Sequence, residues 1–427
     1  MKDAIIIGAG ARGNRVFADL IATHDTGFAL RGVVEPDARR RAAFRRRYGI
    51  PAQRAFATVD ELVAVPRFAD VVLICTPDPT HFDVCRAVSV HGYDVVLEKP
   101  IATNLADCLA LVDLQQTHGN RIFVAHVLRY APFFRRIKET IDSGRLGAVR
   151  AIHLAENVGH WHFAHSYVRG NWRRADLSAP IILTKSSHDL DILYWLLGQH
   201  VRSISSFGSL THFTPENAPA GATERCIDCP HRADCLYSAT QFYLNRRQEW
   251  PFDVVAPGTR SLAERERAIA TGPYGRCVWK CDNDVCDNQT VTLEFESGII
   301  ATFALHALTA DNTRKITILF EKGELNGDLR RNRLAVSHFT GRKDELLVEE
   351  IPLPAAADSH GGGDLELLRT LYEHLTTGQH IDIMSSLETS LPSHVLAFLA
   401  EDSRRRGGAR IEVPAIFVPE RRAKRRD

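Results

Sequence analysis

The sequence has no excess of charge of either sign. Its 427 residues carry 53 Lys and Arg against 52 Asp and Glu, a formal net charge of +1. That balance offers no attraction to nucleic acid or to an acidic membrane, so neither is expected as a partner. Long apolar runs are missing too: no stretch reaches the roughly 20 residues that span a bilayer. No secretory leader is expected, because a strand pattern begins at residue 3, where its basic and apolar regions would have to lie. There is no internal repeat and no low-complexity tract. Cysteine is scarce and odd in number, nine in all, which argues for thiols or a metal site in a cytoplasmic chain rather than a disulfide framework. What remains is an ordinary globular composition, 44% hydrophobic and 25% charged, in a chain too long for one small core and expected to form two domains. The closing RRAKRRD is expected to fray.

Residues 1–126 alternate short apolar runs with amphipathic stretches. AIIIG (4–8), LRGVVEP (30–36), ADVVLICTP (69–77), DVVLEKP (94–100) and RIFVAH (121–126) read as strands buried on both faces. Helices are expected at 11–23, 37–48, 79–91 and 104–118, the last capped by Asn104. The result is a doubly wound α/β pattern. From 127 onward the rhythm changes. APFFRRIKETIDSG reads as a helix ending at Gly144, AVRAIHLAEN as a strand, and HDLDILYWLLG as a helix stopped by Gly198. Hairpins are expected around Ser297-Gly298 and Lys322-Gly323, then helices at 364–377 and 386–406. Residues 127–427 are therefore expected to form an α+β domain with a large, mostly antiparallel open sheet. An insertion at about 210–287 holds six of the nine cysteines and little core of its own.

The chemistry begins in GAGARG, residues 8–13, directly after the first strand. Gly8 permits a tight turn, Gly10 lets a pyrophosphate approach the backbone, and Gly13 lets the following helix pack close to the strand. Ala11 and Arg12 open that helix, whose free N–H groups face the phosphates. Glu35 ends the second strand, where an acid binds ribose hydroxyls. The pattern predicts bound NAD, with NADP left open by Arg39 to Arg41. Ligands in such sheets bind at the carboxyl ends of strands. CTPDPTH (75–81) and EKP (98–100) therefore point into the same cleft, bringing Thr76, Pro77, His81, Glu98 and Lys99 to the cofactor.

Taken in order, GAGARG, CTPDPTH, EKP and HDLD resemble the Gfo/Idh/MocA family, named for glucose–fructose oxidoreductase and inositol dehydrogenase. The likeness implies an N-terminal Rossmann domain and a C-terminal α/β domain whose open sheet forms dimers or tetramers. It implies NAD or NADP chemistry on sugars and polyols. It makes Lys99 the lysine between nicotinamide and substrate, Pro100 the residue of a cis bond, His188 the general base and Asp191 its neighbour one turn on. The chain departs from the family in IILTKSSHDLD. Thr184 stands where those dehydrogenases carry an Asp, and Lys185 follows it. A second lysine near Lys99 makes the site more cationic and can depress a lysine's pKa. Lys185 otherwise pairs with Asp189 or another acid. Three functions stay open: a dehydrogenase of a sugar or polyol, a glycoside hydrolase that keeps NAD and oxidises its substrate transiently, and a non-catalytic NAD-binding regulator.

Two further stretches stand out. HWHFAHSYVRGNWRR (160–174) concentrates His162, His165, Tyr167, Arg169, Asn171 and Trp172, a mixture suited to stacking on sugar faces and bonding their hydroxyls. A metal site on its histidines is the alternative. CIDCPHRADC places Cys226, Cys229 and Cys235 at knuckle spacing, with Cys277 or Cys281 to complete a set. Structural zinc is expected there, with an iron–sulfur cluster or unligated thiols as alternatives.

Overall fold

Glycine turns and buried aliphatic runs build residues 1–126 of the chain. The computed structural model describes residues 1–414 apart from 344, 356–359, 380 and 382. RRAKRRD lies outside the described residues. Six strands, β1 (Lys2–Ile7), β2 (Phe28–Val34), β3 (Ala55–Phe56), β4 (Val71–Ile74), β5 (Asp94–Leu97) and β6 (Ile122–Val124), form one sheet. Its order is β3-β2-β1-β4-β5-β6, and every pair is parallel. The strand order reverses between β1 and β4, which opens a crevice at their carboxyl ends. Asn104 caps the helix Leu105–His118 by accepting from the Asp107 amide at 2.9 Å, and Gly119 ends it at φ +69°. Sequence patterning missed β3 and the one-turn helix Val59–Val63, because both are too short to show a period.

The second sheet has nine strands: β7 (Val149–Gly159), β8 (Val201–Ser209), β9 (Asn288–Phe295), β10 (Ile300–Thr309), β11 (Thr313–Phe320), β12 (Gly323–Asp328), β13 (Arg333–Phe339), β14 (Leu346–Glu350) and β15 (Ile411–Glu412). They run in the order β14-β13-β12-β11-β7-β10-β9-β8-β15. Only β7 and β10 pair in parallel. Both expected hairpins are present, β9–β10 turning at Gly298 (φ +81°) and β11–β12 turning before Gly323.

Two helices near the end of the chain join the halves. Leu365, Leu368 and Leu371 of helix Gly363–Thr377 share a core with Ile6, Phe17 and Val33. Helix Leu387–Arg405 puts Leu387, Leu391 and Val395 into the other face of the parallel sheet and Leu396, Ala397 and Ala400 into the core of the second domain. The insertion is more ordered than its composition suggests. Its short helices Ala239–Tyr243, Phe252–Val255 and Leu262–Thr271 bury Tyr243, Phe252 and Ile269 in a cluster of their own. It also reaches back to the nucleotide-loop helix through Arg15 and Asp253, 2.9 Å apart.

Candidate active site

A cavity of about 800 Å³ lies at the carboxyl ends of β1, β4 and β5. Gly8, at φ +92°, turns the chain against the Cys75 carbonyl, where a Cβ would sit 2.6 Å away. A Cβ on Gly13 would lie 2.0 Å from the Gly8 carbonyl, so only glycine lets the helix start there. A Cβ on Gly10 meets nothing within 4 Å, because that Cα faces the open cleft. The helix opens with a wide π-helical stretch, Ala11–Ala18, before continuing as Asp19–Thr23.

Glu35 is buried at the end of β2. Its carboxylate accepts from the Ala9 amide at 2.9 Å, from the Asp37 amide at 2.9 Å and from Arg40 at 2.8 Å. It thus braces the glycine loop and engages one of the arginines that left NADP open. Arg12 donates to Glu98 at 2.6 Å and to Asp364 at 2.8 Å. Burial works against its charge, but the two carboxylates raise its pKa above the ordinary value. Its Nη1 is buried and has no protein acceptor. His81 also lines the cleft, yet its ring is taken up by the loops: Nδ1 lies 2.7 Å from the Pro100 carbonyl and Nε2 lies 3.0 Å from the Thr76 carbonyl. It clips EKP to CTP rather than presenting a free nitrogen to a nicotinamide. Thr76 and Pro77 line the same wall.

Lys99 follows β5, and the Lys99–Pro100 peptide is cis. Its Nζ donates to the Thr184 carbonyl at 2.6 Å. Burial lowers its pKa, Asp78 and Glu98 oppose the shift, and Lys185 and Arg12 add to it. His188 stands on the first turn of helix Ser187–Leu197 and lines the same cleft. Burial, then Lys99 and His126, hold its pKa well below 6.5, which favours the neutral imidazole. Its Nδ1 is buried without a protein partner.

Asp191 does not serve His188. Its carboxylate takes a two-point ion pair from Arg129, at 2.5 and 2.7 Å, and it does not line the cleft. The physical reason is charge: Arg129 is buried at 2% exposure and needs an anion. Lys185 lines the cleft and pairs with Glu156 at 3.0 Å, whereas Asp189 goes to Arg314 at 2.7 Å. Arg314 also reaches Glu156 at 2.9 Å. Lys185, Glu156, Arg314 and Asp189 therefore form one buried chain of alternating charge. Sequence reading passed over Glu156, Arg314, Asp78 and His360, of which the last three line the cleft.

The aromatic stretch divides. Asn171 and Trp172 line the cleft, and the Trp172 indole donates to Asp78 at 2.9 Å. His162 and Tyr167 sit behind the wall, His162 against Asn312 at 3.2 Å. His165 and Arg169 depart from expectation by facing the insertion. His165 bonds the Tyr243 hydroxyl at 2.8 Å and stacks on Tyr274. Arg169 donates to the carbonyls of Arg276 and Tyr237 and to the Cys226 sulfur. These two residues lie four apart in the helical segment Ala164–Arg169 and so share the face that packs away from the cleft.

All nine cysteines are free thiols. Cys226, Cys229, Cys235 and Cys277 line one small cavity in the insertion. Among the described residues, no three His, Cys, Asp or Glu side chains are grouped as ready ligands of a metal ion. Among the same residues, no helix is long and apolar enough to cross a membrane.

Two family models match the sequence: the NAD-binding Rossmann fold of the GFO/IDH/MocA oxidoreductases over residues 2–126, and the GFO/IDH/MocA C-terminal domain over residues 134–326. YteT of Bacillus subtilis is 24% identical over 409 residues, covering 91% of this chain and 92% of its own. An inositol 2-dehydrogenase of Corynebacterium glutamicum is 27% identical over 203 residues, which is 47% of this chain and 55% of that enzyme. The match thus spans about half the length of the inositol dehydrogenase. A levoglucosan dehydrogenase solved with NADH and levoglucosan superposes with a TM-score of 0.71 at 15% identity, covering 97% of this chain and 99% of that one. At that identity the likeness speaks for the fold.

Proposed function

Since the chain belongs to the GFO/IDH/MocA family of oxidoreductases and carries its NAD-binding Rossmann domain, we propose that it is an NAD-dependent dehydrogenase of a sugar or polyol hydroxyl. The observation that carries this reading is a single cleft holding the glycine loop, Lys99 and His188. NAD, when bound, supplies a hydride acceptor. The residues present fit it: Gly10 leaves the loop backbone open and Glu35 stands at the ribose end. Arg40 already serves Glu35, and a 2′-phosphate would meet that carboxylate, which favours NAD over NADP.

Lys99 and His188 share the proton work. A neutral His188 can take the hydroxyl proton, and Lys99, with a lowered pKa, can hold a forming alkoxide or relay the proton. Lys185 is fixed by Glu156 and completes the cationic side of the pocket. Asn171 and Trp172 form the wall that faces a carbohydrate. The alternative of an NAD-retaining glycoside hydrolase gains no specific support. The reading includes a homodimer or homotetramer built on the open sheet, whose outer face exposes Phe207, Leu308, Phe339 and Leu346. It also includes a cytoplasmic location, in keeping with nine unpaired thiols.

The test is nicotinamide absorbance with a panel of inositols, free sugars and chromogenic glycosides. Steady NADH formation with a free polyol or sugar is expected. Lys99→Ala should reduce turnover by about 10²-fold or more and leave NADH binding within a few-fold. Chromophore release without net NADH, or normal turnover in Lys99→Ala, would overturn the reading.

A further inference from the structure

Two distant stretches of the insertion meet around one cavity. The loop CIDCPHRADC brings Cys226, Cys229 and Cys235, and the far end of the insertion brings Cys277. The cavity measures about 20 Å³. The other two cysteines of the region stay outside it. Cys281 turns its sulfur to the Cys277 carbonyl at 3.2 Å, and Cys286 is buried elsewhere. Volume decides the class of occupant. One water needs about 10–15 Å³ on this measure, so there is room for a single ion and none for an iron–sulfur cube. Four of the lining side chains are thiols, with Arg169, His231 and Ser238 among the others.

The second observation is an uncompensated charge. Arg169 is 2% exposed. Its guanidinium donates to the Arg276 carbonyl at 2.8 Å, the Tyr237 carbonyl at 2.7 Å and the Cys226 sulfur at 3.4 Å. No carboxylate among the described residues pairs with it. A buried guanidinium without an anion is strongly disfavoured. Four thiolates around a divalent cation carry a net charge of −2, and one of the four sulfurs already accepts from Arg169.

We propose that Cys226, Cys229, Cys235 and Cys277 form a closed tetrathiolate site for one structural zinc ion, with Arg169 as its outer hydrogen-bond donor. Binding exchanges four S–H bonds for four Zn–S bonds and releases four protons, with no change of oxidation state. Neutral thiols have no cause to converge on a point until the cation draws off their protons, so closure accompanies binding. The site ties the cysteine loop to the end of the insertion. Through Arg169 it also holds the segment that continues into Asn171 and Trp172, and so fixes the substrate wall of the cleft from behind.

The experiment is elemental analysis of the full-length protein purified without chelator. Close to one zinc per chain is expected, falling to near zero in Cys229→Ser and remaining in Cys286→Ser. To guard against variants that fail to fold, the wild-type protein is also grown with cobalt. It should show the intense sulfur-to-metal charge-transfer bands and strong visible bands of tetrahedral thiolate cobalt. Zinc near zero, iron with acid-labile sulfide, or a cobalt protein without those bands would overturn the proposal. None of these results depends on which substrate the cleft oxidises.

Discussion

Replacing Glu156 by Gln keeps the shape of the side chain and removes one buried negative charge. Glu156 is 3% exposed and holds Lys185 at 3.0 Å and Arg314 at 2.9 Å. Removing one partner of a buried ion pair costs about 3–5 kcal/mol. Two features pull the figure to the low end. Arg314 keeps Asp189, at 2.7 and 3.2 Å, and the amide oxygen of Gln can still accept one bond. Lys185 is 19% exposed, so water recovers part of its loss. The expected destabilisation of Glu156→Gln is therefore about 3 kcal/mol, read as a fall in the urea midpoint at unchanged slope. Glu350→Gln is the control. It breaks an exposed pair with Arg333, the two side chains 54% and 69% exposed, and should leave the midpoint in place. If the two variants behave alike, Lys185, Glu156, Arg314 and Asp189 do not act as a buried charge network.

The glycine loop yields a paired prediction. Gly13→Ala drives a Cβ into the Gly8 carbonyl and should destabilise the fold by about 1–3 kcal/mol and abolish NADH binding. Gly10→Ala meets nothing in the protein, so its melting temperature should hold while its NADH affinity falls; fluorescence titration with unchanged affinity would refute a pyrophosphate at that position. The buried imidazoles set the acid limit. Burial depresses His126 and His188 well below 6.5, and His165 and His394 to about 3. Below pH 6.5 the unfolded chain binds protons that the folded chain refuses, so stability falls with pH by up to about 1.4 kcal/mol per unit per histidine. Denaturation midpoints that stay level from about pH 7 to about pH 5 would refute the neutral cluster.

The nucleotide half was legible because its signals are local. A strand, a glycine turn and a capped helix each declare themselves within a dozen residues, as Gly8, Gly13 and Asn104 do. The pocket's charged hub was less visible, although a trace of it exists. In β7 the inward positions are Ile152, Leu154, Glu156 and Val158, and in β11 they are Arg314, Ile316, Ile318 and Phe320. A charge in phase with a buried aliphatic series calls for an opposite charge on a neighbouring strand. β7 and β11 are neighbours, with Arg314 in register with Glu156. That pairing joins residues 158 positions apart, which no local pattern reveals. His165 and Arg169 were misplaced for a related reason. Composition marks a segment as polar and aromatic, but only packing decides which face meets the cleft and which meets the insertion.

The helices Gly363–Thr377 and Leu387–Arg405 have a consequence for the order of events on the ribosome. The parallel sheet is made first, yet Leu368 and Leu391 belong to the cores on its two faces, and the Val124 amide on its edge strand bonds the Ser385 carbonyl at 2.7 Å. Until these helices have emerged, Val124 on the edge strand lacks its Ser385 partner and the two cores, already lined by Phe17, Phe44, Val88 and Leu111, lack Leu368 and Leu391. The parallel sheet is thus made before the segments that complete it, and its finishing depends on residues more than 200 positions downstream.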